Sequence, residues 1–181
     1  ALQTPKALGA AMLAVTRAGT RLVAAGERGI VLLSGDGGRQ WKQAQTPVQV
    51  SLTALRFVDD KTGWAVGHMG VVLATRDGGL TWRKQLDGVQ AAQLLGSPRA
   101  IAEGPDKPFF DIDAGDANHA IVVGAYNLAF ETTDGGRTWT PLSARLPNAK
   151  TLHLYGVRVA GNDVYIAGEQ GLLMKSTDNG A

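Results

Sequence analysis

Gly63-Trp64-Ala65-Val66-Gly67-His68-Met69-Gly70-Val71-Val72-Leu73-Ala74-Thr75-Arg76-Asp77-Gly78-Gly79-Leu80-Thr81-Trp82 holds two short apolar runs set between glycines and closed by an Asp-Gly-Gly turn. Runs this short, bounded by glycine, read as strands rather than as an amphipathic helix. The pattern recurs on both sides. Gly26-Glu27-Arg28-Gly29 leads through Ile30-Val31-Leu32-Leu33 to Ser34-Gly35-Asp36-Gly37-Gly38-Arg39-Gln40-Trp41. Gly124-Ala125-Tyr126-Asn127 leads through Leu128-Ala129-Phe130-Glu131 to Thr132-Thr133-Asp134-Gly135-Gly136-Arg137-Thr138-Trp139. A fourth copy runs from Gly168-Glu169-Gln170-Gly171 through Leu172-Leu173-Met174-Lys175 to Ser176-Thr177-Asp178-Asn179-Gly180, where the sequence ends before a Trp.

The four aspartates stand 41, 57 and 44 residues apart. Units of roughly 40 to 50 residues with several strands each predict an all-β β-propeller of four-stranded blades, about four of them present. The expected organisation is one domain over residues 1–181, with blades near 11–46, 51–86, 109–143 and 151–181 and an insertion at 87–108. In the second blade we expect strands at 52–58, 64–66, 71–75 and 81–85. The last copy stops inside its turn, so the expectation is part of a larger propeller, possibly seven-bladed. A small four-bladed ring closed by the first ten residues is the competing arrangement.

Composition agrees with a packed β protein. The chain has 181 residues, 44% of them hydrophobic, and 24 are glycine, about twice the usual share of roughly 7%. Its 18 basic and 16 acidic residues leave only +2, which gives no electrostatic footprint for nucleic acid. No apolar run approaches the roughly 20 residues of a transmembrane helix. With no cysteine, disulfides, thiolate metal sites and cysteine nucleophiles are excluded. The first ten residues lack the basic start and apolar stretch of a signal peptide, so an exported protein would be in its mature form here.

The Asp-Gly-Gly turns have a structural reading. An aspartate accepts hydrogen bonds from backbone N–H groups two or three residues on, glycine supplies positive φ, and the Ser or Thr two residues earlier bonds into the same turn. The Trp then buries its ring against a neighbouring sheet. Asp36, Gly38, Trp41, Asp77, Gly79, Trp82, Asp134, Gly136, Trp139, Asp178 and Gly180 are therefore expected to be scaffold.

Ser/Thr-x-Asp-x-Gly-x-Thr-Trp resembles the Asp-box, or BNR, repeat of sialidases, sortilin-type receptors and some glucanases. Gly63-Trp64-Ala65-Val66-Gly67 ahead of such a box narrows this: the chain resembles photosystem II stability/assembly factors and their bacterial relatives, from about Met12 to Gly180. That resemblance implies a seven-bladed propeller, exported to the thylakoid lumen or periplasm. It also implies a non-enzymatic role in assembling or stabilising a membrane protein complex by binding one of its subunits.

Propeller topology places the Asp boxes on one face and the turns between second and third strands, with the inter-blade links, on the other. The pairs Glu27-Arg28, His68-Met69, Tyr126-Asn127 and Glu169-Gln170 differ while the scaffold around them repeats, which suits recognition on a rigid frame. The insertion adds to that face, and Val89 to Leu95 suits a short helix ended by Gly96-Ser97-Pro98, with a mobile surface loop as the alternative. On the innermost strands Thr16, Arg56, Asp113 and Arg158 align. Two arginines can bind a carboxylate or phosphate bidentately, or pair with Asp113 or other acids and hold blades together. The candidate partner-binding residues are thus Arg28, Arg56, His68, Tyr126, Asn127, Arg158, Glu169 and Gln170.

No catalytic residue, metal ligand or cofactor site is expected. Nucleophile elbows, P-loops, zinc helices and dinucleotide fingerprints are absent, and His68, His119 and His153 carry no ligand spacing. The alternative is an Asp-box glycoside hydrolase of sialidase type, or a carbohydrate-binding propeller. A sialidase needs an arginine cluster, a Tyr nucleophile with a Glu base and an acid. Arg56 and Arg158 with Tyr126 or Tyr155 only begin such a set.

Overall fold

The computed structural model describes residues 1–98, 102 and 104–180, and its sheets are all antiparallel meanders. The first comprises β1 (Met12–Ala18), β2 (Arg21–Gly26), β3 (Val31–Ser34) and β4 (Lys42–Gln43). The second comprises β5 (Leu52–Phe57), β6 (Gly63–Gly67), β7 (Val72–Thr75) and β8 (Arg83–Leu86). The third comprises β9 (Phe109–Ala114), β10 (Ala120–Gly124), β11 (Ala129–Thr132) and β12 (Thr140–Pro141). The fourth has three strands, β13 (Leu154–Ala160), β14 (Asp163–Gly168) and β15 (Leu173–Ser176).

Strands β1, β5, β9 and β13 pack on one another in order, so the sheets are four blades of a β-propeller. Among the described residues β13 makes no comparable contact with β1. The blades form an arc, and the first ten residues do not close a ring. Instead Pro5–Gly9 makes a short turn over the outer face of the first blade, where Ala7 is buried with Ile30 and Leu32.

The second and third blades each lie between two others, and that explains their apolar runs. A middle strand sends alternate side chains to opposite neighbours, so both faces must be apolar. In β6, Ala65 packs toward the first blade while Trp64 and Val66 pack toward the third. Trp64 is fully buried with Phe109, Phe130 and Trp139. Burying a side chain of this class contributes about 1.5–3 kcal/mol. At the open end of the arc the pattern breaks: Leu173 is 71% exposed.

The Asp boxes form as turns with one difference in reach. Asp36 Oδ1 accepts the N–H groups of Arg39 and Gln40 at 3.0 Å each. Asp77 and Asp134 each take the N–H four residues on, at 2.9 Å, and that residue's hydroxyl as well. The acceptors therefore serve donors three and four residues on, not two and three. Because Thr81 is held inside the box, the outer strand begins at Arg83 rather than at the expected 81.

Trp82 and Trp139 are buried between blades as expected. Trp41 is only half-buried, because the first blade has only the N-terminal segment over that face. Arginines staple adjacent blades on this side: Arg21 Nη1 donates to the carbonyls of Asp77 and Gly78. Arg76 Nη2 likewise donates to Gly135 O at 3.0 Å, its guanidinium over the Trp64 ring.

On the opposite face α1 (Gly88–Leu95) occupies the insertion. Asp87 and Gln90 form a capping box and Gly96 ends the helix in the left-handed conformation, as such signals dictate. The helix packs on the turn His68–Gly70. Residues 99–101 and 103 of the expected insertion 87–108 lie outside the described residues.

Candidate functional site

The four turns between second and third strands share one conformation. Arg28, Met69, Tyr126 and Gln170 all take positive φ, between 54° and 58°, although a non-glycine residue costs about 1 kcal/mol there. The residue after them is crowded in the first two blades. At Gly29 a Cβ would lie 2.2 Å from Val48 O, where the inter-blade link crosses the turn. In the third blade Asn127 takes the position at φ 63°. Asn127 is buried, donating to Ser143 O and accepting from Asn148 Nδ2, each at 2.9 Å. It therefore braces the loop rather than standing on the surface.

A second repeated device lies beside the turns. Each innermost strand carries a bulge near its start, leaving one residue unpaired: Leu13, Thr53, Phe110 and Tyr155. Bulges re-aim a side chain at the rim of a sheet. Here they bring Phe110 and Tyr155 together at 5.3 Å between ring centroids.

His153 joins this pair to the turn above. Its ring lies 6.2 Å from Phe110, 6.1 Å from Tyr155 and 4.4 Å from Tyr126. Its Nδ1 accepts the Tyr126 backbone N–H at 2.8 Å. Its own backbone N–H donates to Glu169 Oε2 at 2.8 Å. Lys107 Nζ stands 5.9 Å from the Tyr126 ring centroid. The result is a continuous aromatic shelf across the third and fourth blades, with Tyr126 60% and Tyr155 53% exposed.

Below the shelf, ion pairs occupy the innermost strands. Arg158 Nη1 meets Asp111 Oδ2 at 2.8 Å, and Arg56 Nε meets Asp113 Oδ1 at 2.7 Å. The same two carboxylates accept the backbone N–H groups of Val157 and Val159. Of the two roles open to the arginines, inter-blade pairing is the geometry present, Arg56 with Asp113 and Arg158 with Asp111.

The structure thus brings Tyr126 and Glu169 together around His153, with exposed Gln170 beside Glu169. Arg28 and His68 are exposed on the first and second blades, Arg28 beside a cavity of about 410 Å³ that it lines with Lys6 and Gln49. Phe110, His153 and Tyr155 were missed as a group. The available signal was the alignment of Arg56, Asp113 and Arg158, since Thr53, Phe110 and Tyr155 each lie three residues earlier. Among the described residues the only tyrosine hydroxyl bonded to a carboxylate is that of Tyr165, on Asp163.

A family model described as photosynthesis system II assembly factor YCF48 matches residues 34–95 and 99–181. The photosystem II assembly lipoprotein Ycf48 of Synechococcus sp. (strain CC9902) is 39% identical over 70 residues, 39% of this chain and 21% of that protein. A solved structure of YCF48 bound to D1 peptide is 17% identical, with a TM-score of 0.66 over 97% of this chain and 53% of its own. The GH74 xyloglucanase of Xanthomonas campestris is 19% identical, with a TM-score of 0.65 over 90% of this chain and 28% of that enzyme. At such identities both structures share the propeller fold and nothing further follows. The chain spans about half of the solved YCF48 chain and about a fifth of the curated relative.

Proposed function

We propose, starting from the fact that this chain belongs to the photosynthesis system II assembly factor YCF48 family, that it is an exported, non-enzymatic binding module. It holds a segment of a membrane-complex subunit on its aromatic face and assists that complex's assembly or stability. The observation that carries this reading is the shelf of Tyr126, His153, Phe110 and Tyr155. Tyrosines presented by a rigid frame give large contact area at low entropic cost and are enriched where proteins meet. Two supports come from relatives: YCF48 is solved with a D1 peptide, and the Synechococcus protein is a lipoprotein. Among the described residues no helix is long and apolar enough to cross a membrane.

The test is capture from detergent-solubilised membranes by the tagged protein, compared with a Tyr126→Ala/Tyr155→Ala variant. Enrichment of a membrane-complex subunit by the wild type, lost in the folded variant, supports the reading and its face. Equal capture by both moves the contact elsewhere. No capture by either, with retention on a polysaccharide column, turns the reading toward the sugar-binding alternative.

A further inference from the structure

We infer that His153 is a pH-sensitive latch that keeps Tyr126 on the shelf only while its imidazole is neutral. The inference rests on the shelf being the contact face, and it concerns how that face is regulated. The geometry is specific. Tyr126 holds a left-handed backbone, φ 54° and ψ 49°, which a tyrosine adopts at a cost. Its N–H points across the blade boundary to His153 Nδ1, an acceptor in the neutral ring protonated at Nε2 and a donor in the imidazolium.

The arrangement is peculiar to this blade pair. Among the described residues, the equivalent N–H groups of Arg28, Met69 and Gln170 meet no side-chain acceptor. The His153 backbone is itself fixed, donating to Glu169 Oε2 and accepting the Glu169 N–H at 3.0 Å. The backbone that carries the ring is therefore held in place while the ring's proton count changes. The groups that face it are the Glu169 carboxylate, the Tyr126 and Tyr155 phenols, the apolar Phe110 ring, and Lys107 beyond Tyr126. The Asp111–Arg158 pair lies next along the strands.

Histidine is the side chain whose charge changes in the physiological range. The hydrogen bond exists only in the neutral form, so it is present at the alkaline end and lost as pH falls. Protonation sets two donors against each other at hydrogen-bond distance. Repulsion between the two donors then parts Tyr126 from the His153 ring, while the turn keeps the backbone bonds it shares with the other blades. Acidification weakens partner binding by breaking the continuity of the aromatic face at its most exposed ring.

The test needs no partner. In the intact, isotope-labelled protein, Tyr126 amide protection and the His153 ring nitrogens are followed by NMR from about pH 8 to about pH 5. The expected result is a loss of Tyr126 protection of roughly fivefold or more, following the ring titration. His153→Asn places an amide oxygen near the Nδ1 position and takes up no proton, so its Tyr126 protection stays flat. Wild-type protection that ignores the ring titration, or an unchanged pH dependence in His153→Asn, overturns the latch. Capture by wild type at pH 8 is scored separately. If it fails while the latch titrates, the contact-face reading falls and the switch stands.

Discussion

Arg56 Nε of the second blade lies 2.7 Å from Asp113 Oδ1 of the third, while Asp113 Oδ2 takes the Val159 N–H of the fourth at 2.8 Å. One buried carboxylate therefore ties three blades together at their innermost strands. The partners are unequally placed: the Asp113 side chain is 3% exposed and that of Arg56 43%.

That inequality predicts an asymmetric response. Arg56→Ala strands a buried charge and costs about 2–4 kcal/mol, discounted for the exposure of the lost guanidinium. Asp113→Ala frees an arginine that can hydrate and orphans one N–H, costing about 1–3 kcal/mol. Denaturant titration of both and of the double variant checks this. A double variant that costs the full sum would show the two to be uncoupled.

The tryptophans of the Asp boxes should differ in the same assay. Trp82 is 5% exposed, set edge-on to Phe57 with ring centroids 6.0 Å apart, and Trp82→Ala costs about 3–5 kcal/mol. Trp41 is half-buried against the N-terminal segment, and Trp41→Ala costs about half as much. Equal losses would contradict the open outer face of the first blade.

Acid should act through the boxes. The Thr138 hydroxyl and N–H hold the Asp134 carboxyl down to about 2 from the ordinary 3.8. A depressed carboxylate stabilises the fold above its unfolded value, and that contribution is lost as pH falls through the folded one. Melting temperature therefore declines as pH falls from 3.8 towards about 2. In Thr138→Val the Asp134 share of that decline shrinks, because the carboxyl moves back toward 3.8. An unaltered acid limb in this variant would remove Thr138 as the cause.

Tyr126 separates contact from stability. Its side chain is 60% exposed and its backbone left-handed. Tyr126→Gly removes the ring and relieves the conformation, so stability is unchanged or rises by up to about 1 kcal/mol while capture is lost. A clear fall in melting temperature would show that the ring packs as part of the fold.

Much of this molecule is local and was legible for that reason. Ser34, Asp36 and Gly38, and their counterparts in the later boxes, bond within four or five residues of one another. The turn, its spacing and the blades that the turns punctuate could thus be read from the chain. The helix was readable too, since Asp87, Gln90 and Gly96 are the start and stop of a single segment. The alignment of Arg56, Asp113 and Arg158 held because each is paired with an equivalent second-strand residue.

The sequence by itself thus determined the repeat, the blades and the face on which its variable turns lie. Tertiary structure alone decided which of those turns meets an aromatic cluster. The Tyr126–His153 hydrogen bond spans 27 residues and the Asp111–Arg158 pair 47. Both depend on how one blade is set against the next. Nor could the burial of Asn127 or the partial burial of Trp41 be read from a motif that repeats. What differs between copies is the neighbour each blade packs against, and only packing supplies that.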